Sequence, residues 1–163
     1  MKLTIHRGTH EIGGTCVELA TESTRILIDI GLPLVDEDGQ SFKLGNYFNL
    51  NKAELVERKI AKDILGLYRE DKYNKPPDAI LISHSHPDHY GLLPFVKPDI
   101  PLYLSEGCQE LIKATYYFRG LDSFLKTTEI VENQKSVSIG DFKITPYLVD
   151  HSGFDAYAFL IEA

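Results

Sequence analysis

The chain has 163 residues, a formal net charge of −7, 43% hydrophobic and 25% charged residues. That is ordinary globular usage, which excludes a disordered tail, a collagen-like fibre and a low-complexity linker, and the length suits one domain. Its longest apolar runs, such as Ala79-Ile80-Leu81-Ile82, are far too short to span a bilayer. No apolar signal segment occupies the first twenty residues, so a cytoplasmic protein with no membrane partner is expected. An acidic balance disfavours a general nucleic-acid-binding surface, although a local basic groove or a metal overrides that argument. Cys16 and Cys108 are not spaced as a metal or disulfide pair and predict two reduced, buried thiols.

In chain order, Leu3-Thr4-Ile5-His6 alternates with period two and predicts a strand. Gly13-Gly14 predicts a turn, and Cys16-Val17-Glu18-Leu19 a second strand paired with the first. Arg25 to Ile30 is nearly continuous in apolar residues, as a buried strand requires, with Gly31 as its stop. Residues 32–50, rich in Gly, Asn, Asp and aromatic residues, predict a long ordered loop. Leu55, Ile60, Ile64, Leu65 and Tyr68 recur at helical spacing, so one amphipathic helix is expected over 52–72, ended by Pro76-Pro77. Asp78–Ser83 predicts another buried strand, Asp88–Val96 a short helix and Pro101–Leu104 a strand. Ser105 caps a helix running to Phe118, whose Tyr116-Tyr117-Phe118 end is expected to pack. Strands follow at 128–131, 136–139, 142–149 and 155–161, with a Gly140-Asp141 hairpin turn. The fold class is therefore α/β or α+β, a layer of sheet and helix.

Three of the six histidines fall within His84-Ser85-His86-Pro87-Asp88-His89. Two histidines at i and i+2 leaving a strand end put both imidazoles on one side. Pro87 then turns the chain, and Asp88 with His89 starts a helix that faces a second position. A nitrogen-rich pocket with one carboxylate suits zinc, iron or manganese better than calcium. A purely structural zinc is disfavoured, because such sites are closed cages dominated by cysteine. His6 and His10 match no ligand spacing and are expected in the first hairpin or facing solvent.

The segment His84-Ser85-His86-Pro87-Asp88-His89-Tyr90-Gly91 matches the HxHxDHxG motif, and in this the chain resembles the metallo-β-lactamase fold superfamily of metallohydrolases. Asp29-Ile30-Gly31 resembles that family's first motif, and Val149-Asp150-His151-Ser152 its third metal-ligand motif. The opening Gly8 to Cys16 and the stretch Asp150-His151-Ser152 with Asp155-Ala156 resemble the ribonuclease J-like and polyadenylation-factor-like branch. The resemblance implies that His84, His86 and His151 hold a first metal and that Asp88 and His89 contribute to a second, with zinc expected at both and iron or manganese as alternatives. It gives Asp29 the role of orienting the ligands by hydrogen bonding, and Asp88 a catalytic role in orienting the attacking hydroxide.

It also implies the first half of a four-layer αββα sandwich, so that residues 1–163 form a single metallo-β-lactamase-like domain expected to be incomplete at its C-terminus. Full members continue to a bridging aspartate and a last histidine. A half-sandwich leaves an apolar face uncovered, which predicts either a homodimer or a missing C-terminal half as the partner. The function implied is a metal-dependent hydrolase acting on a phosphodiester, RNA or DNA. The alternatives are a small-molecule esterase, lactonase or thioesterase and, from another class, a metal-binding or interaction module without turnover.

Overall fold

The computed structural model describes residues 1–35, 39–41, 44–72, 75–121 and 124–163. Three strands, β1 (Lys2–Arg7), β2 (Cys16–Ala20) and β3 (Arg25–Ile28), form an antiparallel meander. From β3 the sheet continues in parallel through β4 (Ala79–Leu81), β5 (Leu102–Leu104) and β6 (Thr128–Ile130), giving the order β1-β2-β3-β4-β5-β6. Parallel neighbours need crossover connections. The β4–β5 crossover carries the short α2 (Pro87–Tyr90), and the β5–β6 crossover carries α3 (Glu106–Phe118). A second, antiparallel sheet is built from β7 (Val137–Ile139), β8 (Phe142–Leu148) and β9 (Tyr157–Glu162).

Two cores lie on opposite faces of the six-stranded sheet. On one face Leu27, Ile80, Ile82, Leu102 and Leu104 pack against Leu55 and against Cys108, Ile112 and Tyr116 of α3. On the other, Leu19, Ile26, Ala79 and Leu81 meet Ile139, Phe142 and Ile144 of the second sheet. Central strand β4 is buried on both faces, which explains its unbroken apolar run. The described residues thus form three layers, helix, sheet and sheet, in agreement with the α/β expectation. Leu3 and Ile5 pair with Leu19 and Val17, which places them on the face toward the second sheet, yet they remain 59% and 49% exposed. No helix among the described residues is long and apolar enough to cross a membrane.

Three expectations need correction. The helix expected over 52–72 stops after α1 (Lys52–Glu57), started by an Asn51–Glu54 capping box. Beyond it Lys59 and Gly66 adopt positive φ of 54° and 77°, and Ile60, Ile64 and Tyr68 are buried one at a time from turns while Leu65 faces solvent. Strand β3 ends at Ile28 rather than at Ile30, because Asp29 turns into the left-handed region with φ 58°. At the end of α3 only Tyr116 is buried in the core; Tyr117 and Phe118 are exposed. Within the loop expected over 32–50, a 3-10 turn spans Leu44–Asn49, and positions 36–38 and 42–43 lie outside the described residues. Cys16 and Cys108 are free and buried, as expected.

Candidate metal centre

The site forms at the carboxyl ends of the parallel strands β3 and β4, where crossover chains diverge and open a crevice. Asp29 follows β3 directly, and its N–H still donates to the Leu81 carbonyl at 2.8 Å, so the turn is locked to β4. Aspartate tolerates the left-handed conformation better than most residues. Its buried carboxylate accepts three bonds: the Ser83 N–H on Oδ1 at 2.8 Å, and on Oδ2 the Ser83 hydroxyl at 2.8 Å and His89 Nδ1 at 2.7 Å. A buried charge is tolerable only with such partners.

His84 follows Ser83 directly, and His86, in extended backbone, occupies the N-cap of α2 with Pro87 at the first helical position. His84 Nε2 and His86 Nδ1 lie 3.0 Å apart. His151 arrives from the loop between β8 and β9, its ring centroid 4.2 Å from that of His84 and 5.2 Å from that of His86. Its Nδ1 accepts the Gly153 N–H at 3.1 Å. Gly153 lies against His84, where a Cβ would stand 3.1 Å from Cδ2, so the loop is seated on the first imidazole. One nitrogen from each of His84, His86 and His151 fits within a 4.8 Å cluster, a donor set able to hold a metal ion.

Protonation favours that role at His84. Burial, reinforced by His89, His151 and His86, pushes its pKa down to about 3, so the ring stays neutral and keeps a lone pair. The Ser83 hydroxyl donates to Asp29, so its oxygen accepts from His84 Nδ1 at 2.9 Å, which assigns the proton to Nδ1 and the lone pair to Nε2. His89 is different. Burial opposes its charge, but the bond and charge of Asp29, with Asp88 beside it, raise its pKa above the ordinary value. With Nδ1 committed to Asp29, Nε2 faces the Asp88 carboxylate at 3.5 Å.

Profiles of two related families match this stretch: the metallo-β-lactamase superfamily over residues 11–102 and a beta-lactamase superfamily domain over residues 63–162. The chain belongs to the metallo-β-lactamase superfamily. It is 27% identical over 166 residues to Ribonuclease J of Helicobacter pylori (strain ATCC 700392 / 26695), an alignment covering 99% of this chain and 21% of that protein. Against Probable RNase MJ4 of Methanocaldococcus jannaschii the identity is 29% over 138 residues, covering 83% of this chain and 24% of the relative. The chain therefore spans about a fifth to a quarter of the length of these curated relatives. Among solved structures, a protein of unknown function from Enterococcus faecalis V583 superposes with a TM-score of 0.78 at 21% identity, covering 98% of this chain and 40% of that one. That likeness extends the shared fold over essentially the whole chain.

Within this superfamily member, the structure brings His84, His86 and His151 into one donor cluster. Asp88 and His89 form an adjacent pair outside it, and Asp29 lies beneath His89. His6 pairs with Glu18 at 3.2 Å and His10 is exposed, both in the first hairpin region. Sequence reasoning missed Ser83, whose hydroxyl touches Asp29, His84 and His89. A hydroxyl residue at a strand end immediately before a histidine pair was the available signal. It also missed the backbone lattice behind the site, in which Thr15 N–H donates to Asp88 and Ile30 N–H to His89.

Proposed function

We propose that this chain is the metal-holding part of a metal-dependent hydrolase that cleaves phosphodiester bonds in RNA or DNA. The observation carrying the proposal is the three-imidazole cluster beside the Asp88–His89 pair. Preference for nucleic acid is supported by relatives named as ribonucleases that align with 99% and 83% of the chain. In this reading His84, His86 and His151 hold one ion, and Asp88 with His89 Nε2 holds a second. The imidazole-rich set suits zinc, with iron and manganese also compatible. A divalent ion bound there supplies positive charge that acidifies water and stabilises negative charge on phosphoryl oxygens.

The chain's own residues prepare that chemistry. Ser83 and Asp29 hold His84 and His89 by their Nδ1 atoms, so each ring presents Nε2 to the crevice. The Gly153 N–H, donating to His151 Nδ1, holds the third imidazole against His84, from where it would ligate the same ion. Asp88 is the carboxylate poised to accept a proton from the attacking water or to orient it. A second reading, hydrolysis of a small ester, lactone or thioester, is favoured by the net charge of −7, which repels a polyanion.

The test compares a labelled RNA oligomer with a panel of small esters, with zinc or manganese and then with chelator. Chelator-sensitive cleavage of the oligomer is expected. Ester hydrolysis without cleavage of RNA or DNA would replace the first reading by the second, and metal uptake without any turnover would support a metal-binding module.

A further inference from the structure

The loop that delivers His151 also carries an aromatic ring into solvent. Phe154 is 73% exposed, forgoing the burial free energy that a phenyl group normally gains on folding. The ring is nevertheless held. A Cβ on Gly107 would stand only 2.8 Å from Phe154 Cδ1 and Cε1, so the bare backbone at the start of α3 makes its seat. Asp155 follows with φ 57°; its Oδ2 accepts the Gly107 N–H at 2.9 Å and its carbonyl accepts the Ser105 hydroxyl at 2.7 Å. On the other side Gly153 rests on His84. Residues 153–155 are thus pinned between a metal-site imidazole and α3, with an apolar plane facing outward.

Position matters as much as rigidity. Phe154 lies three residues from His151, so their Cα atoms are no more than about 11 Å apart. Among the described residues, the other strongly exposed rings, Tyr117 and Phe118, contact each other with centroids 5.6 Å apart. They sit at the far end of α3, about 15 Å along the helix axis from Gly107.

We infer that Phe154 is a stacking platform for a nucleobase of single-stranded nucleic acid whose backbone enters the histidine cluster. The inference rests on the nucleic-acid reading above and adds how such a substrate is held. A base offers a flat π face to a flat ring, and every base has one, so the platform tolerates sequence. A sugar–phosphate backbone alone leaves the ring without a partner.

The experiment is anisotropy binding of a fluorescent single-stranded RNA oligomer and of its abasic counterpart, at fixed zinc and salt. Phe154→Ala should weaken binding of the oligomer about tenfold or more, while metal content per chain, read by elemental analysis, stays at the wild-type value. Phe154→Trp should bind at least as tightly as wild type, and Phe118→Ala should be indistinguishable from it. The abasic oligomer should bind wild type and Phe154→Ala alike. Equal binding of the normal oligomer by wild type and Phe154→Ala would overturn the platform while leaving the nucleic-acid reading intact; so would a Phe154→Trp protein that binds more weakly. A wild type that binds neither oligomer would overturn both.

Discussion

Replacing Gly31 by alanine should break the connection between the fold and the metal site. A Cβ at position 31 would lie 1.6 Å from the Asp88 carbonyl oxygen, 2.1 Å from its carbon and 2.9 Å from the His89 nitrogen. Ordinary contact needs about 3.5 Å, so the two segments must part by about 2 Å. Backbone, not a flexible side chain, is in the way. Five hydrogen bonds span this junction: Ile30 N–H to His89, Gly31 N–H to Thr15, Leu32 N–H to Pro87, Thr15 N–H to Asp88 and Leu92 N–H to Ile30, all 2.7–3.1 Å. At about 1 kcal/mol net apiece, losing most of them costs about 3–5 kcal/mol, a large share of the ~5–15 kcal/mol typical of a domain. Denaturant titration followed by circular dichroism or tyrosine fluorescence measures it, there being nine tyrosines and no tryptophan. Gly120→Ala is the control: unlike Gly31 it has a positive φ, 65°, and nothing stands within 4 Å of its Cβ, so only the left-handed penalty of about 1–2 kcal/mol applies. A Gly31→Ala protein as stable as Gly120→Ala, with wild-type metal content, would refute this reasoning.

Ser83→Ala removes a donor from the buried Asp29 carboxylate and the partner of His84 Nδ1; it should cost about 1–3 kcal/mol and weaken metal binding about tenfold or more by calorimetry. His86→Ala should lower metal content by most of one ion per chain, and unchanged content by elemental analysis would remove His86 from the ligand set. Cys16 and Cys108 are lifted to about 12, by burial first and then by the charge of Asp29. Alkylation at pH 8 should therefore label neither thiol in the native protein and both in denaturant, with native labelling accelerating only as pH climbs toward that value. The exposed Leu3 and Ile5 predict concentration-dependent association in sedimentation velocity, abolished by Leu3→Glu with Ile5→Glu; a wild type that sediments as a single unchanging monomer would contradict this.

The sequence made the site legible because its chemistry is local: three histidines and an aspartate in six residues announce themselves without a fold. His151 was recognisable only through resemblance, since nothing in its immediate neighbourhood marks a histidine that tertiary packing carries onto His84. The strands were readable where one face or both faces are buried, as in the unbroken run of β4. Periodicity misled over 52–72, because Leu55, Ile60, Ile64 and Tyr68 mimic a helical stripe although the chain turns between them at Lys59 and Gly66. Burial from consecutive turns leaves the same apolar spacing as burial from one helix face. Ser83 escaped notice for a different reason: its role exists only when Asp29, 54 residues earlier, folds beneath it.

The spacing of the proposed ligands also governs how a bound metal would couple to unfolding. His84 and His86 stand two residues apart, so the denatured chain retains a local two-imidazole chelate, whereas His151 reaches them only after β8 and β9 have docked. A ligand stabilises a protein only by the difference between its affinities for the native and the unfolded chain. Saturating zinc should therefore raise the denaturation midpoint by less than the native affinity alone dictates. The surplus that remains is the contribution of the third imidazole, which makes the metal a reporter of whether the His151 loop is seated on Gly153 and His84.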